Sequence, residues 1–156
     1  MKRQRETPGS IFSIKIDEKN YSFGRILNGG SAEFYDYKSD SEEVDINFLI
    51  EQKVIFYAIV FSHAITKGRW HIIGKTVLGD NYKNFPKYYL PDVADENYYR
   101  IMDNFGIHDS TKEACRGLEL GYIWEPQSIE QRLVDYYNNE VNEEYNYFKT
   151  LHEIKD

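Results

Sequence analysis

The segment Ile11–Tyr37 constrains the fold most, because it reads as three antiparallel strands in succession. In Ile11-Phe12-Ser13-Ile14-Lys15-Ile16, the residues Phe12, Ile14 and Ile16 recur at period two, which places them on one face of a strand. Asp17-Glu18-Lys19-Asn20 breaks the alternation with turn-forming polar residues. A second strand, Tyr21–Leu27, runs into Asn28-Gly29-Gly30, and an Asn-Gly pair suits the two positive-φ positions of a type I′ hairpin turn. The third, Ser31–Tyr37, carries Phe34, Tyr35 and Tyr37. A meander of this kind cannot bury its apolar face alone, so the rest of the chain has to cover it.

After the meander the chain turns acidic. Asp36, Asp40, Glu42, Glu43 and Asp45 fall within ten residues and are opposed only by Lys38, the composition of a loop. Asp45 is placed to N-cap a short helix over 46–52 with Ile46, Leu49 and Ile50 on its apolar side. The continuous apolar run Val54–Phe61 predicts a strand buried on both faces and central in the sheet. Gly68 supplies a turn before a strand beginning near Trp70 and Ile72. Short strands are expected within 85–91 and 98–102, where Pro86 and Pro91 suit an edge, with loop over 103–117 and a last strand over 118–124. Ser128-Ile129-Glu130-Gln131 has the form of a capping box. Ile129, Leu133, Tyr136, Tyr137, Val141, Tyr145, Phe148 and Leu151 then recur at near-helical spacing, with Asn138-Asn139 as a candidate break.

The expected class is therefore α+β, mainly β: a curved antiparallel sheet or small open barrel packed by a C-terminal helix. A length of 156 residues suits one domain, with a β-rich core over 10–124 and a helical segment over 128–153. No apolar run approaches the ~20 residues that cross a bilayer, and the basic opening Met1–Gly9 lacks the apolar stretch of a signal peptide. One cysteine, Cys115, precludes an internal disulfide and fits a cytoplasmic location. A net charge of −7 argues against nucleic-acid binding, which draws its affinity from cations on phosphates, and is compatible with a basic protein partner.

Catalytic motifs are sparse. His63, His71, His108 and His152 are scattered without metal-ligand spacing, no nucleophile elbow is present, and the glycines match neither a Walker loop nor a dinucleotide fingerprint. No cofactor and no metal are expected. Arg116 beside Cys115 would favour a thiolate, against the plainer reading of an inert thiol. Arg25 and Arg69 each follow a glycine, where a guanidinium is placed either to hold an anion bidentately or to pin a loop through an ion pair. Tyr35, Tyr37, Tyr82, Tyr88, Tyr89, Tyr98 and Tyr99 lie among charged or loop residues, where rigid amphipathic rings suit a protein interface.

Three blocks in order resemble the immunity protein 26 family. They are Lys2–Ile14 with Tyr21-Ser22-Phe23-Gly24-Arg25-Ile26-Leu27, then Gly68-Arg69-Trp70-His71-Ile72-Ile73-Gly74, then Trp124–Leu133. His71 stands where the pattern has proline, Ser10 where aspartate is common, and the tail after Asn138 extends past it. The resemblance implies a cytoplasmic bacterial immunity protein of a polymorphic-toxin or contact-dependent inhibition system. Such a protein binds and neutralises one cognate toxin domain. No catalytic residue carries over. The family label is shared with a phosphotriesterase, which makes a metal-dependent hydrolase the enzymatic alternative; an aromatic-lined β-barrel that binds peptides is a third.

An acidic inhibitor is expected to occlude the cleft of a basic toxin, for which a nuclease is the natural candidate, without contacting nucleic acid or membrane itself. The expected toxin-binding residues are Asp36, Tyr37, Asp40, Glu42, Glu43 and Asp45. Gly24, Arg25, Gly68, Arg69, Trp70 and Gly74 are assigned to structure.

Overall fold

The structure, a computed structural model, describes residues 3–80 and 86–154. The chain is α+β and mainly β, with ten strands in two sheets that form no closed barrel among the described residues. The meander is present as β1 (Ser10–Lys15), β2 (Tyr21–Ile26) and β3 (Ser31–Ser39), each antiparallel to the next. The β2–β3 turn differs from the Asn-Gly expectation. Positive φ falls on Gly29 (69°) and Gly30 (77°), so the two glycines, and not Asn28, carry the left-handed backbone.

After a one-turn helix α1 (Ile46–Leu49), β4 (Val54–Val60) pairs antiparallel with β3. The chain then crosses through α2 (His63–Thr66) to β5 (His71–Lys75), which pairs with β1. A second sheet contains β6 (Tyr88–Pro91), β7 (Tyr99–Asp103) and β8 (Gly106–Ser110). The stretch expected as loop over 103–117 thus holds β8 and a short helix, α3 (Lys112–Cys115).

The last expected strand divides at Gly121. β9 (Glu119–Leu120) pairs parallel with β6, and β10 (Ile123–Trp124) pairs parallel with β4, so the two halves of this segment belong to different sheets. Gly121 permits the crossing because a Cβ there would stand 2.7 Å from Leu90 Cδ2. β4 is consequently second from the edge of its sheet and not central, and Ile55, Tyr57 and Ile59 are only half-buried. Its apolar run reflects one face in the core and one face partly covered.

α4 (Pro126–Tyr137) starts two residues before the expected capping box, with Glu125 as N-cap and proline in the first turn, where its missing N–H costs nothing. Ser128 lies inside the helix and its hydroxyl donates to Glu144. The break at Asn138-Asn139 is real: Asn139 has φ 57°, and α5 (Glu143–Leu151) begins behind its own N-cap, Asn142.

The first sheet is covered on both faces. Phe12, Ile14, Phe34, Phe56 and Ala58 pack with Trp70 and with Ile129 and Leu133 of α4. On the opposite face Ile11, Phe23 and Tyr35 pack with Leu49 of α1. The period-two pattern of Phe12, Ile14 and Ile16 marks the first face; the second is masked because Ser13 and Arg25 sit among its apolar members, both buried. The second sheet buries Tyr89, Tyr99, Ile101 and Leu120 against Cys115 and Ile154.

Candidate functional site

The motif residues turn inward except Arg69, which is exposed. Arg25, 3% exposed, donates from Nε to Glu33 Oε1 at 2.9 Å and from Nη2 to the same oxygen at 2.8 Å, while Tyr35 Oη donates to it at 2.6 Å. Gly24 has no room for a side chain, since a Cβ would lie 2.5 Å from Phe12 Cζ and 2.6 Å from Glu33 O. Gly68, at φ 77°, ends α2. Arg69 grips Glu130 of α4 bidentately, at 2.7 and 3.0 Å, and the Trp70 indole N–H donates to the same carboxylate at 3.3 Å. Trp70 stacks on Phe12 with centroids 5.2 Å apart. A Cβ on Gly74 would press on Ile46 at 3.0 Å. All of these residues are engaged within the chain.

The acidic stretch has a mixed fate. Glu42 accepts from Ser13 Oγ at 2.6 Å and sits 2.9 Å from His71 Nδ1, so it ties its loop to β1 and β5. Asp36, half-buried, is hydrogen-bonded to Tyr136, whose pKa is raised by burial and by that carboxylate. Asp45 caps α1 by accepting from the Asn47 N–H at 3.0 Å but remains exposed, as do Asp40 and Glu43. Lys38 leans over the Tyr137 ring, 5.4 Å from its centroid.

Tyr37 is half-buried between Phe23 (5.8 Å) and Phe48 (5.3 Å, edge-on). Its backbone is held by Tyr137, whose hydroxyl accepts the Tyr37 N–H at 3.1 Å and lies 3.0 Å from the Tyr37 carbonyl and 3.1 Å from that of Tyr35. Phe48, 45% exposed, is a site residue that the sequence reading misses. Its one signal is its absence from the Ile46, Leu49, Ile50 stripe: a large aromatic off the apolar side of a short helix faces water. Asp40, Glu43, Asp45 and the exposed Glu51 therefore belong to the same short span of chain as the solvent-facing Phe48 and its half-buried partner Tyr37.

Other residues singled out in the sequence scatter. Tyr35, Tyr88 and Tyr89 are fully buried, which removes them from any interface; Tyr82 lies outside the described residues. Cys115 is buried, and burial raises its thiol pKa, the opposite of activation by Arg116. The four histidines meet separate partners: Glu125 for His63, Glu42 for His71, Asp103 for His108 and Tyr89 for His152. Among the described residues no three His, Cys, Asp or Glu side chains converge as a metal site, and no helix is long and apolar enough to cross a membrane.

No curated protein and no solved structure matches the chain. The family model described as Immunity protein 26 matches residues 7–100, a span that takes in the Gly24-Arg25 and Gly68–Gly74 blocks and stops short of the Trp124–Leu133 block. The chain belongs to the immunity protein 26 family, and its role is that of an immunity protein, which implies a cognate toxin as its binding partner.

Proposed function

We propose that this chain neutralises a basic toxin domain of the nuclease type by stoichiometric binding, with the end of β3 and α1 covering the toxin's cleft. The supporting observation is the exposed Phe48, packed edge-on against the half-buried Tyr37, in a span that also holds Asp40, Glu43, Asp45 and Glu51. Aromatic anchors inside a charged surround are the usual composition of an interface hot spot. The net charge of −7 adds long-range attraction toward a positive cleft. Inhibition by occlusion asks nothing of the chain beyond shape and charge.

Co-expression with the toxin domain encoded beside this gene tests the reading. The expected result is rescue of growth and a stable one-to-one complex. Asp40→Lys with Glu43→Lys should slow association by about tenfold and flatten its salt dependence, because exposed charges act mainly on the association rate. Rescue without a complex would overturn the binding mechanism.

A further inference from the structure

A second surface, far along the chain from the acidic loop, has the form of a receptor for a single side chain. A cavity of about 270 Å³ opens between the β6–β7 connection and the C-terminal end of α5. Its lining residues include the acidic Asp92 and Glu96 and the aromatic Tyr99, Tyr122 and His152. Val93, 97% exposed, and Leu151, 56% exposed, form an apolar rim. The volume falls below the range from about 300 Å³ typical of sites for drug-sized ligands.

The charged residues that line this cavity are both acidic. Asp92 Oδ1 accepts the N–H groups of Ala94 and Asp95 at 2.8 and 2.9 Å, and these bonds hold its carboxyl below the usual carboxylate range. His152 is depressed by burial and by the nearby Lys149 charge, so its ring is neutral at pH 7; its Nδ1 is 3.1 Å from Tyr89 Oη. Lys149 donates to the Leu118 carbonyl at 2.5 Å and is not among the lining residues. Arg100 is the cation that acts on Asp92; its guanidinium carbon lies 5.6 Å from the Tyr98 ring centroid, and it is not among the lining residues. Glu96 is exposed at the mouth.

Resting on the reading of the chain as a toxin binder, we infer that this cavity receives one basic side chain of the toxin, arginine in preference to lysine. A guanidinium stacks on Tyr122 and meets the Glu96 carboxylate in its own plane, and its methylene stem lies along Val93 and Leu151. A compact ammonium gains less from the ring and cannot present a planar fork. One wall comes from residues 91–99, inside the family match, and the other from Tyr122, Leu151 and His152, beyond it.

The test has two arms. N-acetyl-arginine methylamide is titrated into the protein by NMR, with the norleucine analogue as neutral control. Saturable shifts at Tyr122 and His152, at least fivefold weaker in Glu96→Gln and absent with norleucine, are expected. No saturable shift, or equal shifts with norleucine, overturns the inference. In the second arm the toxin is titrated against wild type and Glu96→Lys, an exposed change that leaves the core untouched. A rise in Kd of tenfold or more is expected, and a change under twofold overturns the cavity as a toxin contact. Loss of toxin binding by wild type itself defeats the proposed function instead, and the arginine titration separates the two failures.

Discussion

Arg25 and Glu33 are charged residues enclosed in an apolar face, and their mutual dependence can be measured. Both are at or below 3% exposure, so solvent screening is negligible. Glu33 Oε1 receives two guanidinium N–H groups and the Tyr35 hydroxyl. Arg25→Met strips a buried carboxylate of its counter-charge, and Glu33→Met does the converse to the guanidinium. Each should cost about 3–5 kcal/mol, the scale for breaking a buried ion pair by removing one of its members. Arg25→Met/Glu33→Met removes both charges and leaves Tyr35 short of one acceptor, for about 1–2 kcal/mol. The double variant should therefore fall short of the additive sum by about 4 kcal/mol or more. Urea unfolding followed through the fluorescence of Trp70 and Trp124 reads this directly. With a slope of about 2 kcal/mol/M, each single change moves the midpoint by about 1.5–2.5 M, and the double change by less than about 1 M. Additive singles, or an Arg25→Met cost under about 1 kcal/mol, would show that water reaches the pair and would refute the argument.

Two other contacts give outcomes of their own. Tyr137→Phe keeps the ring but removes the hydroxyl that accepts the Tyr37 N–H and donates to a β3 carbonyl; a loss of about 1–3 kcal/mol is expected, with raised hydrogen-exchange rates at Tyr37 and Asp36, and an unchanged Tyr37 amide would contradict it. His152 has its pKa lowered in the fold, so the unfolded state takes up its proton first, and stability should fall as pH drops below about 6.5, the unfolded value. His108 is raised by Asp103 and acts in the opposite direction, giving stability below that value that is lost on going above it, so the comparison is made on His152→Asn, which should flatten the acid-side slope.

The legible parts of the fold are those in which one local signal decides the outcome. Phe12, Ile14 and Ile16 alternate cleanly, Asp45 precedes an apolar turn, and Asn138-Asn139 interrupts a helical stripe; each maps onto the observed element. The sequence misleads where two local signals compete or where a distant contact decides. Ser128 and Pro126 both mark helix starts, and the proline prevails because a helix tolerates it only in its first turn. The division of 118–124 depends on which sheet edges happen to lie beside Glu119 and Ile123, and no spacing within that segment encodes them. The acidic run is visible by composition, but composition cannot say that Glu42 is held by Ser13 and His71 while Glu43, the next residue, faces solvent. Tyrosine shows the same limit: Tyr88 and Tyr89 look like surface residues beside Lys87 and are fully buried.

The family match ends at residue 100, but residues beyond it complete the core of the matched stretch. Ile129 and Leu133 share a cluster with Phe12, Phe34 and Trp70, so the first face of the sheet is closed by α4. From the same helix Glu130 holds Arg69 and Trp70, and Tyr137 holds the end of β3 that carries Tyr37. Between them Arg132 grips Glu119 of β9 bidentately at 2.8 and 2.9 Å, with its guanidinium carbon 3.8 Å from the Phe56 centroid and 4.0 Å from that of Tyr145. One side chain thus joins both sheets, α4 and α5. A lysine there would keep the charge but lose the planar fork and both stacking faces. The tail therefore does two things at once: α4 fixes the geometry of the acidic surface contributed by the matched stretch, and α5 contributes its own wall to the cavity beside Tyr122. Glu130, Arg132 and Tyr137 thus hold the frame on which both surfaces stand.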